Sequence, residues 1–367
     1  MKPAYRSITS LAAAALLLAC GAAEESGSTT VRKGEIVQLP SLVDMLDSVV
    51  LRDSANAFIA EPAGVAMNGT AIYVTDAGSS SVLQFDRDGG FVRRIGRRGR
   101  GPGEFSAPGA MATIGDTLLV VSDVGTGRIS LFDTRTGQLA LIKRFPGAPF
   151  TISAVGDTLL GGTYDAMQIN SMFRTTLNDS VGQVMGPVSP DYTNGQRVRF
   201  SYPFSAAALH TGGAVVAMVG SRRMYRTDAQ GSATDSIELA SRVRRGVPQD
   251  LERALADDAR DPASQMLLVS ILTALSRIDS STAMVHVDFS PSDRSVSGKA
   301  YLSLVNWPLH AQCVDAEIPL APDTRPVFAF RNDTLISVQN VVTGTDSLTS
   351  YTRLQRFRVP ACGSGSR

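Results

Sequence analysis

Apolar and polar residues alternate in short runs along most of this chain, and clusters of turn residues punctuate the runs. Two of them, Ala71-Ile72-Tyr73-Val74-Thr75-Asp76 and Ser81-Val82-Leu83-Gln84-Phe85-Asp86, lead into the turn residues Asp88-Gly89. A second pair, Thr117-Leu118-Leu119-Val120-Val121-Ser122-Asp123 and Arg128-Ile129-Ser130-Leu131-Phe132-Asp133, leads into Thr136-Gly137. Period-two alternation sends successive side chains to opposite faces, which predicts strands, and the Asp-to-Gly turn clusters predict hairpins. Pro62-Ala63-Gly64-Val65-Ala66 precedes the first pair as Pro108-Gly109-Ala110-Met111-Ala112 precedes the second. Phe85 and Phe132, Asp86 and Asp133, and Asp76 and Asp123 each lie 47 positions apart, and the two prolines 46, so one residue is inserted within the unit. Each unit predicts four short strands.

A four-stranded unit of this size cannot bury both faces alone, and a period in the forties is that of a β-propeller blade. Weaker copies continue the series at Gly156-Asp157-Thr158-Leu159-Leu160, Gly212-Gly213-Ala214-Val215-Val216, Ser280-Ser281-Thr282-Ala283-Met284-Val285 and Asn332-Asp333-Thr334-Leu335-Ile336. Strand starts near 70, 117, 158, 214, 283 and 334 predict six blades, with seven as the alternative. The expected fold class is all-β, a six-bladed β-propeller with a helical insertion between blades four and five, at about 247–278. Pro248 suits a first helical position, Asp250 and Glu252 follow early, and Leu251, Ala254, Leu255 and Ala259 share a face. Pro262 ends or kinks that helix, and an apolar stretch from Met266 to Leu272 follows it. Such an insert either lids the central pocket or docks a partner, or it covers a blade edge. To close the ring, Ile36 to Leu39 or Ser48 to Arg52 is expected to add a strand to the blade built by Arg353 to Val359, since open edges invite aggregation.

The N-terminus follows a different pattern. Lys2 and Arg6 precede an apolar core from Ile8 to Leu18, and small Ala19 precedes Cys20, which is the layout of an export signal. The core is too short to cross a bilayer of about 30 Å, and Met266 to Leu275 is shorter still. The ending Leu17-Leu18-Ala19-Cys20 resembles the bacterial lipoprotein processing site. That resemblance implies a signal peptide over 1–19, acylation of Cys20 and permanent attachment to a membrane, since several chains hold where one holds reversibly. An ordinary secreted protein is the other reading. Gly21 to Gly34 has little to bury and reads as a flexible tether over 20–34, with the propeller over 35–362 and a short tail over 363–367. Gly21 stands where an Asp, by the lipoprotein sorting rule, favours the inner membrane, so outer-membrane placement is expected, with the folded body in the periplasm or at the cell surface.

Between the first two units, Ile95-Gly96 and Gly99-Arg100-Gly101-Pro102-Gly103-Glu104-Phe105 resemble the connector of bacterial six-bladed propellers related to the NHL repeat. The match is strongest over 58–147, weaker to 231 and thin beyond. That family is functionally heterogeneous, so the resemblance implies the fold and leaves the activity open.

Charge and chemistry narrow the function further. Lys and Arg number 35 against 34 Asp and Glu, which gives no support to a nucleic-acid partner. Of the three cysteines, Cys20 goes to lipid, and Cys313 and Cys362 remain either as a disulfide worth about 3–4 kcal/mol or as two buried thiols. The densest charge cluster is Arg93, Arg94, Arg97, Arg98 and Arg100. Arg97, Arg98 and Arg100 are candidate ligands for phosphate or carboxylate, against the reading that the loop is a solvated connector. His210, His286 and His310 are too scattered for a metal set. Glu61, Asp76, Asp123 and Asn306 are the residues that would have to face the axis in a metal-dependent hydrolase, although Asp76 and Asp123 recur as turn residues do. Trp307 is expected to pack between blades. Neither a nucleophile elbow nor a phosphate loop occurs. The function expected is therefore a lipid-anchored extracytoplasmic binding module for a peptide, glycan or envelope protein, with no catalytic residue and no cofactor assigned. The alternative is a lactonase-like hydrolase or lyase with calcium or zinc on the axis.

Overall fold

The computed structural model describes residues 31–52, 58–144, 148–164, 170–179, 181–187, 205–210, 212–246, 270–288, 298–321, 326–343, 349–360 and 362. Among them there is no α-helix. The strands form six antiparallel blades, taken up in chain order with the first strand of each nearest the axis. Blade 1 is Pro62–Met67, Ala71–Asp76, Ser81–Asp86 and Phe91–Ile95, and blade 2 is Pro108–Ile114, Leu118–Asp123, Arg128–Asp133 and Leu139–Arg144. In blade 3, Ala148–Pro149 and Ser153–Val155 both pair with Thr158–Tyr164, which is followed by Met172–Thr176 and Gln183–Met185. Blade 4 is Ser205–His210, Gly213–Met218, Arg223–Asp228 and Ala233–Glu238. Blade 5 is Ile271–Ile278, Ser281–Asp288, Lys299–Asn306 and Ala311–Ile318, and blade 6 begins with Val327–Arg331, Thr334–Thr343 and Thr349–Arg358. The innermost strands neighbour one another all the way round, with that of blade 6 beside that of blade 1. The ring is closed with six blades.

Closure uses the N-terminal segment twice. Met45–Leu51 adds to blade 6 as its outer strand, antiparallel to Thr349–Arg358, with Ser48 opposite Gln355 and Leu51 opposite Thr352. Ile36–Gln38 joins blade 5 instead, parallel to Ala311–Ile318, with Val37 opposite Cys313. Its parallel direction explains the difference: the chain passes along the edge of blade 5 before it turns back antiparallel onto blade 6. Residues 31 to 34 are already docked, since Val31 lies in the hydrophobic cluster of blades 5 and 6 and Gly34 N–H donates to the Leu309 carbonyl at 2.8 Å. Cys313 and Cys362 form a disulfide, Cα to Cα 5.6 Å, that ties the outer part of blade 5 to the end of the chain beyond blade 6.

The apolar core lies between the blades, because each sheet has two faces to bury. Tyr73, Val82, Phe105, Leu119, Val121 and Phe132 fill the gap between blades 1 and 2. Trp307, buried to 1% exposure, sits with Val215, Met224 and Ile237 of blade 4 and donates its Nε1–H to Thr282 Oγ1 at 2.9 Å. The expected insertion is corrected at one end. Ile271–Ile278 is the inner strand of blade 5, because Leu272 and Leu275 are needed against blade 4 while Ala274 and Ile278 are needed in the cluster shared with blade 6. The segment 247–269, including the helix expected from Pro248, lies outside the described residues.

Candidate functional site

Six first strands meeting at one axis leave a channel with a cavity volume of about 710 Å³, and every blade contributes to its wall. Small side chains such as Ala63, Ala110 and Ala208 line it. Gly64 has to be glycine because a Cβ there would strike the carbonyl oxygen of Gly109 on the next blade. Thr75 Oγ1 donates to the same carbonyl at 2.8 Å and locks the two blades together. One mouth of the channel is ringed by the turns that follow the first strands, and Asn68, Asp116, Arg277, Arg331 and Asn332 stand there. Asn68 Oδ1 accepts from the N–H groups of Thr70 at 3.0 Å and Ala71 at 2.8 Å, and Asp116 Oδ1 accepts from Gly69 N–H at 2.8 Å. Arg277 Nε donates to the Asp279 carbonyl at 2.8 Å. The wall thus offers backbone, small side chains and a few charged groups at one end. Such a lining holds a ligand by shape and by its ends.

The residues that a metal-dependent hydrolase would need at the axis are elsewhere. Asp76 ends the second strand of blade 1, where its carboxylate accepts from the N–H groups of Glu61 at 2.7 Å and Ser79 at 3.0 Å. Asp123 does the same in blade 2 for Ser106 and Ala107, both at 2.9 Å. Both carboxylates therefore fasten the connector that enters their own blade, which is why they recur. Glu61 is exposed in that connector, and Asn306 caps the Asn306–His310 turn by accepting from Leu309 N–H at 3.2 Å. None of the four is on the channel wall.

Arg97 and Arg98 form a two-residue parallel bridge with Glu104 and Phe105 inside the connector between blades 1 and 2. Arg97 pairs with Glu104 at 2.9 Å, Arg98 donates to the Gly78 carbonyl at 2.8 Å, and Arg100 is exposed. Glu104 also accepts from Gly101 N–H at 2.8 Å, and that bond first, then Arg97, holds its carboxyl below the ordinary range. Gly96, at φ 71°, lies against the ring of Phe105, which is fully buried 5.7 Å from Phe132. The connector motif thus plugs an aromatic between two blades, and its charged groups stabilise that plug. His310 Nε2 meets Asp235 Oδ2 at 2.8 Å across blades 4 and 5. His286 is fully buried on Tyr301, ring centroids 5.6 Å apart, and burial pushes its imidazole well below the usual range. His210 ends the first strand of blade 4. Among the described residues no group of three His, Cys, Asp or Glu is arranged to hold a metal ion. Cys20 lies outside the described residues.

Two features were not read from the sequence. The exit from blade 4 is tied to blade 5: Asp315 accepts from Ser241 Oγ at 2.5 Å and Arg242 N–H at 2.8 Å, and Arg244, almost wholly buried, donates to the Met218 and Ser221 carbonyls. Asp288 ends the second strand of blade 5 as Asp76 and Asp123 end theirs, and it holds Ser270 and Arg245. The signal was present as a third Asp at the same place in the repeat, but blade 5 lacks the flanking motif that made the other two visible. The second feature is Arg331, the last residue of the first strand of blade 6, which stands at the channel mouth with Arg277 of blade 5.

Comparison with known proteins agrees with this architecture. Residues 21–164 match the family DUF5128, described as a 6-bladed beta-propeller. A protein of Bacteroides fragilis described as exported superposes with a TM-score of 0.53 at 10% identity, covering 88% of this chain and 99% of that one. A member of the duf4221 family from Bacteroides vulgatus gives 0.54 at 8% identity, over 86% of this chain and 98% of its own. No curated protein matches the sequence. The protein is a six-bladed β-propeller. At these identities the likeness speaks to fold alone.

Proposed function

We propose that this propeller is an extracytoplasmic binding module, held to a membrane by lipid on Cys20, that takes part of a peptide, glycan or envelope protein into its axial channel. The observation that carries the reading is the channel itself. Its volume of about 710 Å³ falls in the range of sites for small ligands, and its wall combines exposed backbone with small side chains on a rigid ring. The carboxylates that a metal-dependent hydrolase would place on the axis are instead committed to connector N–H groups. Export and anchoring are supported by the leader and by Leu17-Leu18-Ala19-Cys20, and the kinship to NHL-type propellers by the Gly99 to Phe105 connector. The outer membrane is the proposed site, from Gly21.

Two measurements test this. A photo-crosslinking residue at Ala110, on the channel wall, is expected to capture a discrete envelope species in intact cells, while one at Leu141, on an outer strand, captures none. Equal labelling from both positions would sink the channel reading. Cys20→Ser is expected to move the protein from the membrane to the soluble fraction; unchanged membrane attachment would remove the lipid anchor from the proposal.

A further inference from the structure

The turn of blade 1 that follows Asp86 places Arg87 behind Asn68, a residue of the channel mouth, and Arg87 Nη1 donates to the carbonyl oxygen of Asn68 at 2.8 Å. Arg331 reaches the same mouth from the last residue of the first strand of blade 6, and it is half-buried in the channel wall. Blades 6 and 1 are the two that meet where the ring closes, so both guanidinium groups lie at that junction. A third, Arg356, stands behind them on Thr349–Arg358, where Asp47 of the closing strand takes it in a two-point ion pair, Nε to Oδ1 2.6 Å. Asp47 is thus used up by Arg356. Neither Arg87 nor Arg331 has a carboxylate partner among the described residues.

Two acids near the mouth are committed to backbone groups. Asp86 accepts from the N–H groups of Asp88 and Gly90, and Asp116, on the blade 2 side of the mouth, accepts from Gly69 N–H. The consequence is felt at Arg87, whose guanidinium is disfavoured first by burial and then by the charges of Arg356 and Arg331, with Asp47 the one group that offsets them. Three like charges gathered in a half-buried place around one carboxylate are costly, and a planar oxyanion that accepts from two guanidinium forks relieves that cost.

We propose that the blade 6–blade 1 corner of the channel mouth is an oxyanion site, in which Arg87 and Arg331 together take a carboxylate or phosphate group of the ligand that enters the channel. The proposal deepens the binding role given above and rests on the channel being the ligand site. It assigns the charge of the ligand, its entry end and the blades that hold it.

Titration calorimetry at low ionic strength with citrate and with inorganic phosphate tests the proposal, and comparing the two decides which oxyanion is preferred. Binding of at least one is expected, weakened at least tenfold by Arg331→Gln and lost progressively as salt rises. Thermal unfolding of Arg331→Gln is expected at or above that of the native protein, because among the described residues that side chain has no hydrogen bond or ion pair to lose and its charge repels that of Arg87. Arg87→Gln serves as the second variant, read by affinity after its fold is checked by circular dichroism. Binding of neither anion, or equal binding by Arg331→Gln, would overturn the oxyanion site. Crosslinking from Ala110 reports separately: capture that persists in Arg331→Gln while the anions fail to bind leaves the channel reading standing without this site. Anion binding through Arg331 with no capture from Ala110 leaves the site standing without a macromolecular partner.

Discussion

At Gly64 the lack of a side chain is what lets two blades touch, because the carbonyl of Gly109 occupies the space a Cβ would take. Gly64→Val is therefore expected to cost about 1–3 kcal/mol through overpacking, read as a lower urea midpoint with an unchanged slope. An unchanged midpoint would mean that blades 1 and 2 can part without loss. Carboxylates act at the same scale. Glu104, Asp133 and Asp179 are all held below their ordinary range, chiefly by backbone N–H donors from Gly101, Thr136 and Thr176. A carboxyl whose pKa is lower in the folded than in the unfolded state adds stability above the unfolded value, and that stability is lost as pH falls through the folded one. The melting temperature is thus expected to drop as pH goes from about 5 to about 3, and Glu104→Gln to remove part of that drop. His286 adds to it in the same direction from higher pH, because burial keeps it neutral while the unfolded chain takes up a proton below its ordinary range.

Elements are held by what lies between them. Inner strands such as Ile271–Ile278 show the logic, since one face of a strand meets the blade before and the other the blade after. Such a strand has no solvated face, so its sequence lacks clean alternation and was open to a helical reading. Met45–Leu51 is the opposite case: its outward residues are exposed, while Leu51 is fully buried in the cluster that joins blades 6 and 1. Leu51→Ala is expected to destabilise the protein by about 2–5 kcal/mol. It is also expected to raise amide exchange in Thr349–Arg358, the strand that Met45–Leu51 covers. Exchange that rises equally in blade 3 would mean that this strand is no local closure.

For the whole molecule, three devices tie the two ends of the chain into the ring: the strand Met45–Leu51 on blade 6, the parallel strand Ile36–Gln38 on blade 5, and the disulfide from Cys313 of blade 5 to Cys362 beyond blade 6. The bridge closes a loop with a sequence separation of 49, for which the chain-entropy model gives about 4 kcal/mol. Reduction, or the double change Cys313→Ala and Cys362→Ala, is expected to lower the urea midpoint while unfolding stays a single transition, because every blade leans on two others. A midpoint indifferent to reductant would show that the two strands close the ring unaided.

How much was legible in the sequence depends on the scale of the cause. Repeat period, strand runs and Asp-to-Gly turns are local, so blades 1 and 2 and the count of six could be read directly, as could the packing of Trp307 between blades. The structural work of Asp76 and Asp123 was legible as recurrence, and it removed them from the axis. What only the tertiary structure decided is which side chains share a place. Arg87 is far along the chain from Arg331 and Arg356 of blade 6, and nothing in their neighbours' identity marks them. They meet because the ring brings blade 6 round to blade 1, and closure is a property of six stacked sheets that no single unit carries.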